Sequence, residues 1–258
     1  MLAYKNVVLL LLACSLIIIL LAWAFAFLNI WLVLALILLD IGCLIGGSFY
    51  VCSGLYLHAH CKGDTDKKQI AITFDDGPHA DITPKVLDIL KLHDIKAGFF
   101  LIGKNTEKNP EIVKRMLDEG HLIGNHSWSH SNFFGFWCTK KVVASLRKNE
   151  DFIEGISGKR TNLFRPPFGV TNPNIARAAR LLDYAVTGWS IRSLDTMGKS
   201  NEKIIIRVVK RLKPGSVILF HDNHEGIIPI LESVIKIAVA EGYTFISPDK
   251  LLNIEAYK

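Results

Sequence analysis

The sequence predicts an α/β fold, an irregular (β/α) barrel of about seven strands in preference to an open doubly wound sheet, preceded by an N-terminal transmembrane helical hairpin. Residues 7–52 are almost entirely apolar, whereas the remainder has the composition of an ordinary soluble domain. From Gln69 onward, strand-like and helix-like segments alternate, which is typical of βα units around a parallel sheet. Polar residues also cluster where the predicted strands end, which is the edge at which barrels build their active sites.

The apolar N-terminal segment is too long for a single membrane crossing. One helix over the whole segment would extend about 69 Å, more than twice a hydrocarbon core of about 30 Å. Neither residues 7–28 nor residues 30–39 carry a charge, and Asn29 between them is a turn former. A cleaved signal peptide fits less well, because its apolar region spans only about 7–15 residues. We therefore expect residues 1–60 to be a membrane anchor with two transmembrane helices, at about 7–28 and 30–52.

Asp40 is an ionisable residue inside the second predicted span, where a charge is costly in lipid. Two explanations remain open: its side chain hydrogen-bonds to the first helix or to another copy, or the helix lies shallower in the membrane. A hairpin places both of its ends on one side of the membrane. Lys5 and the lysines of residues 62–68 favour the cytoplasm under the positive-inside rule, but so few charges leave the side of the domain open.

A short polar linker, residues 61–68, connects the anchor to the soluble domain, residues 69–258. The linker reaches only about 26 Å when fully extended. The domain is therefore expected to work close to the membrane surface.

The cysteines and the charges exclude several classes of protein. The five cysteines form no CxxC pair, and three of them lie in the apolar segment, so we expect neither a cysteine zinc site nor a disulfide framework. Small buried apolar side chains are the preferred interpretation. The net charge of +6 is spread along predicted helices and fits a solvated helix face; contact with anionic headgroups or an anionic glycan is the alternative. No nucleic-acid-binding motif is present.

The soluble domain is predicted to alternate strands with helices. The strands are expected at 69–74, 96–102, 121–125, 184–189, 216–221 and 243–246. The helices are expected at 83–91, 106–119, 139–155, 173–182, 201–212 and 227–241. Several of the strands are apolar throughout, which suits a parallel sheet that is buried on both faces.

Two carboxyl groups and two histidines form the first candidate site. Asp75 and Asp76 end the first predicted strand, so one could bind a cation while the other takes a proton; an acidic turn is the alternative. His126 and His130 are four residues apart and could face one cation, although two structural histidines would show the same spacing. Combined with a strand-end aspartate they make a two-histidine, one-carboxylate set, which leaves a position open for water, as catalytic metal sites do.

Three later segments supply further candidates. Within the sequence RPPFG, Arg165 could pair with a carboxylate and fix its orientation. His221 ends a buried strand, where a histidine can act as a general acid while a carboxylate such as Asp195 sets its tautomer. Each of these residues, taken alone, also has a purely structural explanation.

Taken together and in this order, the motifs resemble those of the polysaccharide deacetylases of carbohydrate esterase family 4, the NodB homology domain. The resemblance covers about residues 69–246, and its first two motifs, TFDDGP and HSWSH, are specific. It implies that Asp75 is the general base and that Asp76, His126 and His130 hold a divalent metal. Zinc is the first choice for this ligand set, and cobalt, nickel or manganese are compatible with it.

The same resemblance implies roles for five more residues. Arg165 would orient the general base, and the backbone N–H of Phe168 would help to hold the oxyanion. His221 would be the general acid, supported by Asp195. Leu219 would line the pocket for the acetyl group.

Two features depart from the family pattern. A motif that usually reads Asp-x-x-Asp-Trp has Arg192 and Thr196 at its first and last positions, and Phe168 stands where tyrosine is common. A backbone donor tolerates the second change. Loss of the tryptophan should reshape the pocket wall, so the resemblance does not fix the sugar.

The sequence thus predicts a membrane-anchored, metal-dependent hydrolase that removes N-acetyl groups from an amino-sugar glycan, whether peptidoglycan, another polysaccharide or a lipid-linked precursor. An amidase or esterase acting on a non-sugar acyl substrate, and a non-catalytic glycan-binding protein of the same fold, are the alternatives. The expected partners are the N-acetylated glycan and the lipid bilayer, with no nucleic acid. The expected location is the cell membrane, as a multi-pass protein, and the oligomeric state is not indicated.

Overall fold

The computed structural model describes residues 2–24 and 30–258 and begins with two long apolar helices. Helix α1 spans Leu2–Ala24 and helix α2 spans Ile30–Ser48. Stretches of 18 and 19 residues in them are apolar enough to cross a membrane by length and composition, and none of those residues is buried against protein. The turn predicted at Asn29 lies outside the described residues.

The two N-terminal helices are joined by a polar contact. The hydroxyl of Ser15 on α1 donates a 2.9 Å hydrogen bond to Oδ2 of Asp40 on α2. This is the interhelical pairing that the sequence allowed as one of two explanations for Asp40. It gives the carboxyl group a partner in otherwise apolar surroundings.

Eight strands form one parallel sheet that curls into a half-barrel. Its strands are β1 (Gln69–Asp75), β2 (Gly98–Leu101), β3 (Leu122–Asn125), β4 (Leu163–Phe164), β5 (Ala185–Val186), β6 (Ile191–Arg192), β7 (Val217–His221) and β8 (Thr244–Phe245). Their order across the sheet is β5-β4-β3-β2-β1-β7-β6, and β8 pairs with the start of β1. The predicted fold class, an irregular barrel of about seven strands, is confirmed. Strands β4 and β6 were not predicted, since two residues each are too few to show a periodic pattern.

Eight helices follow α1 and α2 and connect the strands. They are α3 (Thr83–Leu92), α4 (Gly103–Lys108), α5 (Pro110–Asp118), α6 (Thr139–Ser157), α7 (Pro173–Leu181), α8 (Asn201–Val209), α9 (Ile227–Ala240) and α10 (Pro248–Leu252). The single helix predicted at 106–119 is divided into α4 and α5. The cause is Pro110, which disfavours helical backbone at Asn109, where φ is −135° and ψ is 54°.

The largest part of the core lies between the sheet and the helices that cover it. At its centre, Phe74 of β1 stacks on Phe99 of β2 with ring centroids 5.0 Å apart, and Phe220 of β7 lies 6.1 Å away. All three rings are fully buried. This packing fixes the relative positions of the three central strands, whose carboxyl ends carry the candidate site.

Residues 51–62 pack against the domain ahead of β1. Val51 is buried in a second core cluster, and His60 forms a bridge with Thr187. Cys52 and Cys61 form a disulfide, so the expectation that the cysteines form no disulfide was wrong. The spacing of these two residues in the sequence carried no signal, because a single local pair has no framework to match. The remaining cysteines, Cys14, Cys43 and Cys138, are exposed rather than buried.

The end of α2 is fixed to the rest of the chain by three hydrogen bonds. The Tyr56 hydroxyl donates to the carbonyl of Leu44 at 3.1 Å, and the Ser53 hydroxyl donates to that of Gly47 at 2.9 Å. In addition, the Thr171 N–H donates to the carbonyl of Ser48 at 2.8 Å. The helix therefore ends directly against the loop that contains Phe168.

Candidate active site

The two strand-end carboxyl groups lie at the carboxyl edge of the sheet. Strand β1 is paired on both sides up to its last residue, Asp75, which is in register with Phe100 of β2 and His221 of β7. Asp76 follows with a φ of 75°, a left-handed conformation that ends the strand. Parallel pairing therefore places His221 beside the two aspartates, as the sequence predicted from strand ends alone.

Asp76, His126 and His130 come together at this edge. Oδ1 of Asp76 lies 3.6 Å from Nε2 of His126 and 3.5 Å from Nε2 of His130. One ligand atom from each of the three residues lies within 4.8 Å of the others. Ligand atoms about 2.0–2.2 Å from a tetrahedral ion are about 3.3–3.6 Å apart, so the three side chains have the spacing for one ion.

Two further observations show that these donors fit a divalent metal. Oδ1 of Asp76 is buried and has no hydrogen-bond partner, which is costly for a carboxyl oxygen unless a cation compensates it. Burial, together with the nearby His126, lowers the pKa of His130 to about 4. The His130 imidazole is therefore neutral at physiological pH, which is the form that binds metals.

The loop after β3 turns both histidines to the same side. Nδ1 of His126 lies 2.7 Å from the carbonyl oxygen of Arg165; because a carbonyl only accepts, Nδ1 carries the proton and Nε2 is left free to bind a metal. Ser127 and His130 have φ angles of 68° and 46°. The Asn125 side chain accepts from the Ser127 N–H, and the Ser127 hydroxyl accepts from the His130 N–H, which stabilises this turn.

Arg165 is fully buried beneath the site. Its Nη1 donates to Oδ1 of Asp75 at 2.7 Å and to the Thr73 hydroxyl at 2.9 Å. Its Nε and Nη2 donate to the carbonyls of Thr187 and Gly188 at 3.1 and 2.7 Å. The guanidinium group is thus held from four directions, and it fixes one oxygen of Asp75.

The other oxygen of Asp75 faces the candidate metal site. Oδ2 lies 3.8 Å from Nε2 of His126, and the Asp75 side chain is 5% exposed. The two neighbouring carboxyl groups therefore have different surroundings: Asp75 is paired with Arg165, whereas Asp76 faces the two imidazoles. Different surroundings allow the two groups to do different chemistry.

His221 and Asp195 form a second pair in the same cleft. Nδ1 of His221 lies 2.8 Å from Oδ1 of Asp195, and the His221 backbone N–H donates to Oδ2 at 2.8 Å. Burial alone would raise the pKa of Asp195, but hydrogen bonds from His221 and His224 outweigh burial and hold that pKa below its ordinary value. For His221, burial acts to lower the pKa, and the hydrogen bond to Asp195 more than offsets it, so the pKa is raised.

A cleft of about 240 Å³ joins these groups. Of the candidate residues, all but Arg165 and Asp195 line it, and those two lie behind the wall. The lining comprises Asp75, Asp76, His126, His130, Phe168, Gly169, Trp189, Arg192, Thr196, Met197, Leu219 and His221. The structure therefore gathers every residue singled out in the sequence around one cleft.

Phe168 and Leu219 both line the cleft. Phe168 has a φ of 60° and is 44% exposed, with its ring 4.3 Å from that of His130. Leu219 is buried on β7. Next to Phe168, a Cβ on Gly169 would lie 2.5 Å from the Trp189 ring, so this close contact requires glycine.

Several residues of the site carried no clear signal in the sequence. Trp189 and Met197 line the cleft, but Trp189 ends a predicted strand without a polar group to mark it and Met197 lies in an irregular segment. Asn223 and His224 directly follow His221; the Asn223 side chain donates to Oδ2 of Asp76 at 3.3 Å, and Nε2 of His224 lies 3.4 Å from Oδ2 of Asp195. Their proximity to a strand-end histidine was the one available indication.

The fold and the site together define a class, a hydrolase that works at the carboxyl edge of a parallel half-barrel. The chain belongs to the polysaccharide deacetylase family, whose family model matches residues 62–187. This confirms the resemblance indicated by the motifs. The enzymes of this family, carbohydrate esterase family 4, are metal-dependent, which agrees with the Asp-His-His set.

Named relatives lead to the same class. A peptidoglycan-N-acetylglucosamine deacetylase of Bacillus cereus is 36% identical over 190 residues, covering 72% of this chain and 69% of that protein. A peptidoglycan-N-acetylmuramic acid deacetylase of Bacillus subtilis is 34% identical over 198 residues, covering 74% and 73%. Longer relatives also match: the chain spans 40% of the length of deacetylases from Listeria monocytogenes.

Solved structures agree on the fold. The crystal structure of a peptidoglycan N-acetylglucosamine deacetylase superposes with a TM-score of 0.73 at 34% identity, covering 77% of this chain and 94% of that one. The domain described here is therefore a polysaccharide deacetylase hydrolase.

Proposed function

We propose that this chain is a membrane-anchored enzyme that removes N-acetyl groups from the amino sugars of peptidoglycan, with a bound divalent metal, zinc by preference. The observation that carries the proposal is the convergence of Asp76, His126 and His130 on one point, with the free oxygen of Asp75 directed at the same place. Two imidazoles and one carboxylate favour zinc, although cobalt, nickel and manganese accept the same donors.

The metal and the general base have separate tasks. A metal held by Asp76, His126 and His130 would polarise the acetamide carbonyl and lower the pKa of a bound water. Asp75 is the general base: Arg165 occupies Oδ1, so Oδ2 accepts the proton of the water that attacks the acetyl carbon.

His221 is the general acid that completes the reaction. Asp195 holds its Nδ1, which leaves Nε2 to donate a proton to the departing sugar amine. The raised pKa of His221 keeps this proton available near neutral pH. The backbone N–H of Phe168 stabilises the oxyanion of the tetrahedral intermediate, and Leu219 contacts the acetyl methyl group. The products are acetate and a free amino sugar.

The apolar helices and the disulfide support a location for the catalytic domain. Helices α1 and α2 are long and apolar enough to span a bilayer, and we propose that they do. The Cys52–Cys61 disulfide favours an oxidising compartment, in contrast to the few lysines that favour the cytoplasm. We therefore place the catalytic domain on the extracytoplasmic face, where peptidoglycan is accessible; a lipid-linked precursor exposed on that face is the second possible substrate.

The test is acetate release by the full chain in detergent with zinc, measured on N-acetylglucosamine oligomers. Turnover is expected for the wild type, and Asp75→Asn is expected to retain zinc but lose turnover. Loss of zinc in Asp75→Asn would reverse the roles of the two aspartates. Acetate released from simple aryl esters, but from no acetylated sugar, would replace the proposal with an esterase acting on non-sugar substrates.

A further inference from the structure

A second, strongly basic cleft lies next to the catalytic one. It has a volume of about 570 Å³ and is formed by α8, the loop before it and the turn after it. Its lining comprises Gly198, Lys199, Ser200, Lys203, Ile206, Arg207 and Arg211. Four of these seven side chains are cationic and none is acidic. We refer to this lining as the basic cleft.

The basic cleft borders the catalytic cleft. Thr196 and Met197 line the catalytic cleft, and Gly198, the next residue, begins the basic one. Arg192 also lines the catalytic cleft, and its backbone carbonyl accepts a 2.9 Å hydrogen bond from Nε of Arg207. Positive side chains therefore extend from the wall of the catalytic cleft along α8.

The positive charges of this region are not neutralised within the described part of the chain. Among the described residues, no ion pair involves Arg192 or a cation of the basic cleft. By contrast, Arg115 on α5 pairs with both Asp88 and Glu119. Lys203 and Arg207 are four residues apart on α8, a spacing at which like charges repel on a helix, and Arg211 follows in the turn after the helix. The pKa of Arg207 is lowered by partial burial and by the charges of Arg211 and Arg192.

A group of unpaired positive side chains beside a catalytic cleft is expected where an anionic ligand binds and supplies the missing negative charge. Arginine side chains suit this task, since their planar donors match a carboxylate in a bidentate manner. Arg192 is exposed, and its guanidinium carbon lies 5.9 Å from the Trp189 ring centroid, which keeps the charge at the wall of the cleft.

We propose that Arg192 and the basic cleft bind a carboxylate carried by the glycan while its acetamido group lies in the catalytic cleft. The proposal rests on the proposed function and deepens it, because it selects among acetylated glycans. N-acetylmuramic acid differs from N-acetylglucosamine by a lactyl ether, whose carboxylate is free where no peptide is attached to it. A glycan strand containing the acidic sugar is therefore the preferred substrate over a neutral oligomer. Arg192 lines the catalytic cleft itself, and a hydrogen bond joins it to Arg207 of the basic cleft, which favours a substrate group over a membrane headgroup as the occupant.

The experiment compares kcat/KM for acetate release from two substrates by the full chain in detergent with zinc. One is the neutral N-acetylglucosamine tetramer, and the other is a peptide-free peptidoglycan tetrasaccharide that contains N-acetylmuramic acid. The wild type should prefer the acidic substrate. The double variant Arg207→Gln with Arg211→Gln should lower the ratio of the two kcat/KM values about tenfold or more, mainly through KM.

A matched control removes the same two charges elsewhere. Arg147 on α6 and Arg177 on α7 are exposed and line neither cleft, so the control double variant Arg147→Gln with Arg177→Gln should leave the ratio at its wild-type value. Added salt should lower the ratio in the wild type, since the interaction is electrostatic. That measurement tests the proposal even if the double variant does not fold.

The outcomes are distinguishable. Equal kcat/KM on both substrates, or a ratio insensitive to salt and to the double variant, would overturn the proposal of a carboxylate site. A double variant that loses only its affinity for vesicles containing anionic lipid would make the basic cleft a headgroup site, and would overturn it as well. No acetate from either substrate would refute the proposed function itself.

Discussion

Arg165 lies at the centre of the buried hydrogen-bond network beneath the site, and its replacement tests that network. The guanidinium is fully buried, pairs with Asp75, and donates to the carbonyls of Thr187 and Gly188. We predict that Arg165→Met, which keeps most of the volume but removes every donor, lowers the free energy of unfolding by about 3–5 kcal/mol. The loss arises because Asp75 becomes a buried carboxyl group without its cation and two buried carbonyls lose their donors.

The assay is guanidinium chloride unfolding of the full chain in detergent, followed by tryptophan fluorescence with the disulfide intact. Asp75→Asn alone and combined with Arg165→Met completes a double-mutant cycle. The combined loss should be smaller than the sum of the single losses by about 1 kcal/mol or more, because the unpaired charge is then absent. A loss below about 1 kcal/mol for Arg165→Met, or simple additivity, would refute the reasoning.

Three further predictions concern the acid, the metal and the membrane. Asp195→Asn removes the group that raises the pKa of His221. Because only the protonated form of His221 can act as the acid, the alkaline limb of the pH profile of kcat should move to lower pH. An alkaline limb that does not move would exclude His221 as the general acid. His130→Gln should weaken zinc binding at least tenfold in a chelator competition, since it removes one of three ligands, and unchanged affinity would place the metal elsewhere. An alkaline phosphatase reporter fused after Lys258 should be active, because the catalytic domain is placed outside the cytoplasm. If that reporter is inactive and a reporter that works only in the cytoplasm is active at the same position, the topology is the reverse.

The sequence indicated that the candidate residues lie together because several of them stand at the ends of strongly apolar strands. Asp75 and His221 end β1 and β7, and pairing in register places them side by side. The carboxyl ends of parallel strands meet at one edge, so strand positions alone indicated proximity. The short strand that carries Arg192 gave no such pattern, and the basic cleft depends on how α8 packs against it, which spacing along the chain does not reveal.

The sequence was less informative where contacts connect distant segments. The disulfide and the packing of residues 51–62 depend on a chain reversal ahead of β1 that no motif marks. Trp189 could be placed in the cleft only once its contact with Gly169 was known. The contact of α2 with Thr171 likewise follows from tertiary packing, because neither segment carries a pattern that indicates its partner.

Anomalous X-ray diffraction from crystals of the zinc-loaded protein tests the metal centre most directly. The account predicts a single peak within about 2.0–2.2 Å of Oδ1 of Asp76 and of Nε2 of both His126 and His130, with a coordination position open toward Asp75. A peak at other residues, or no peak at full zinc loading in solution, would contradict it.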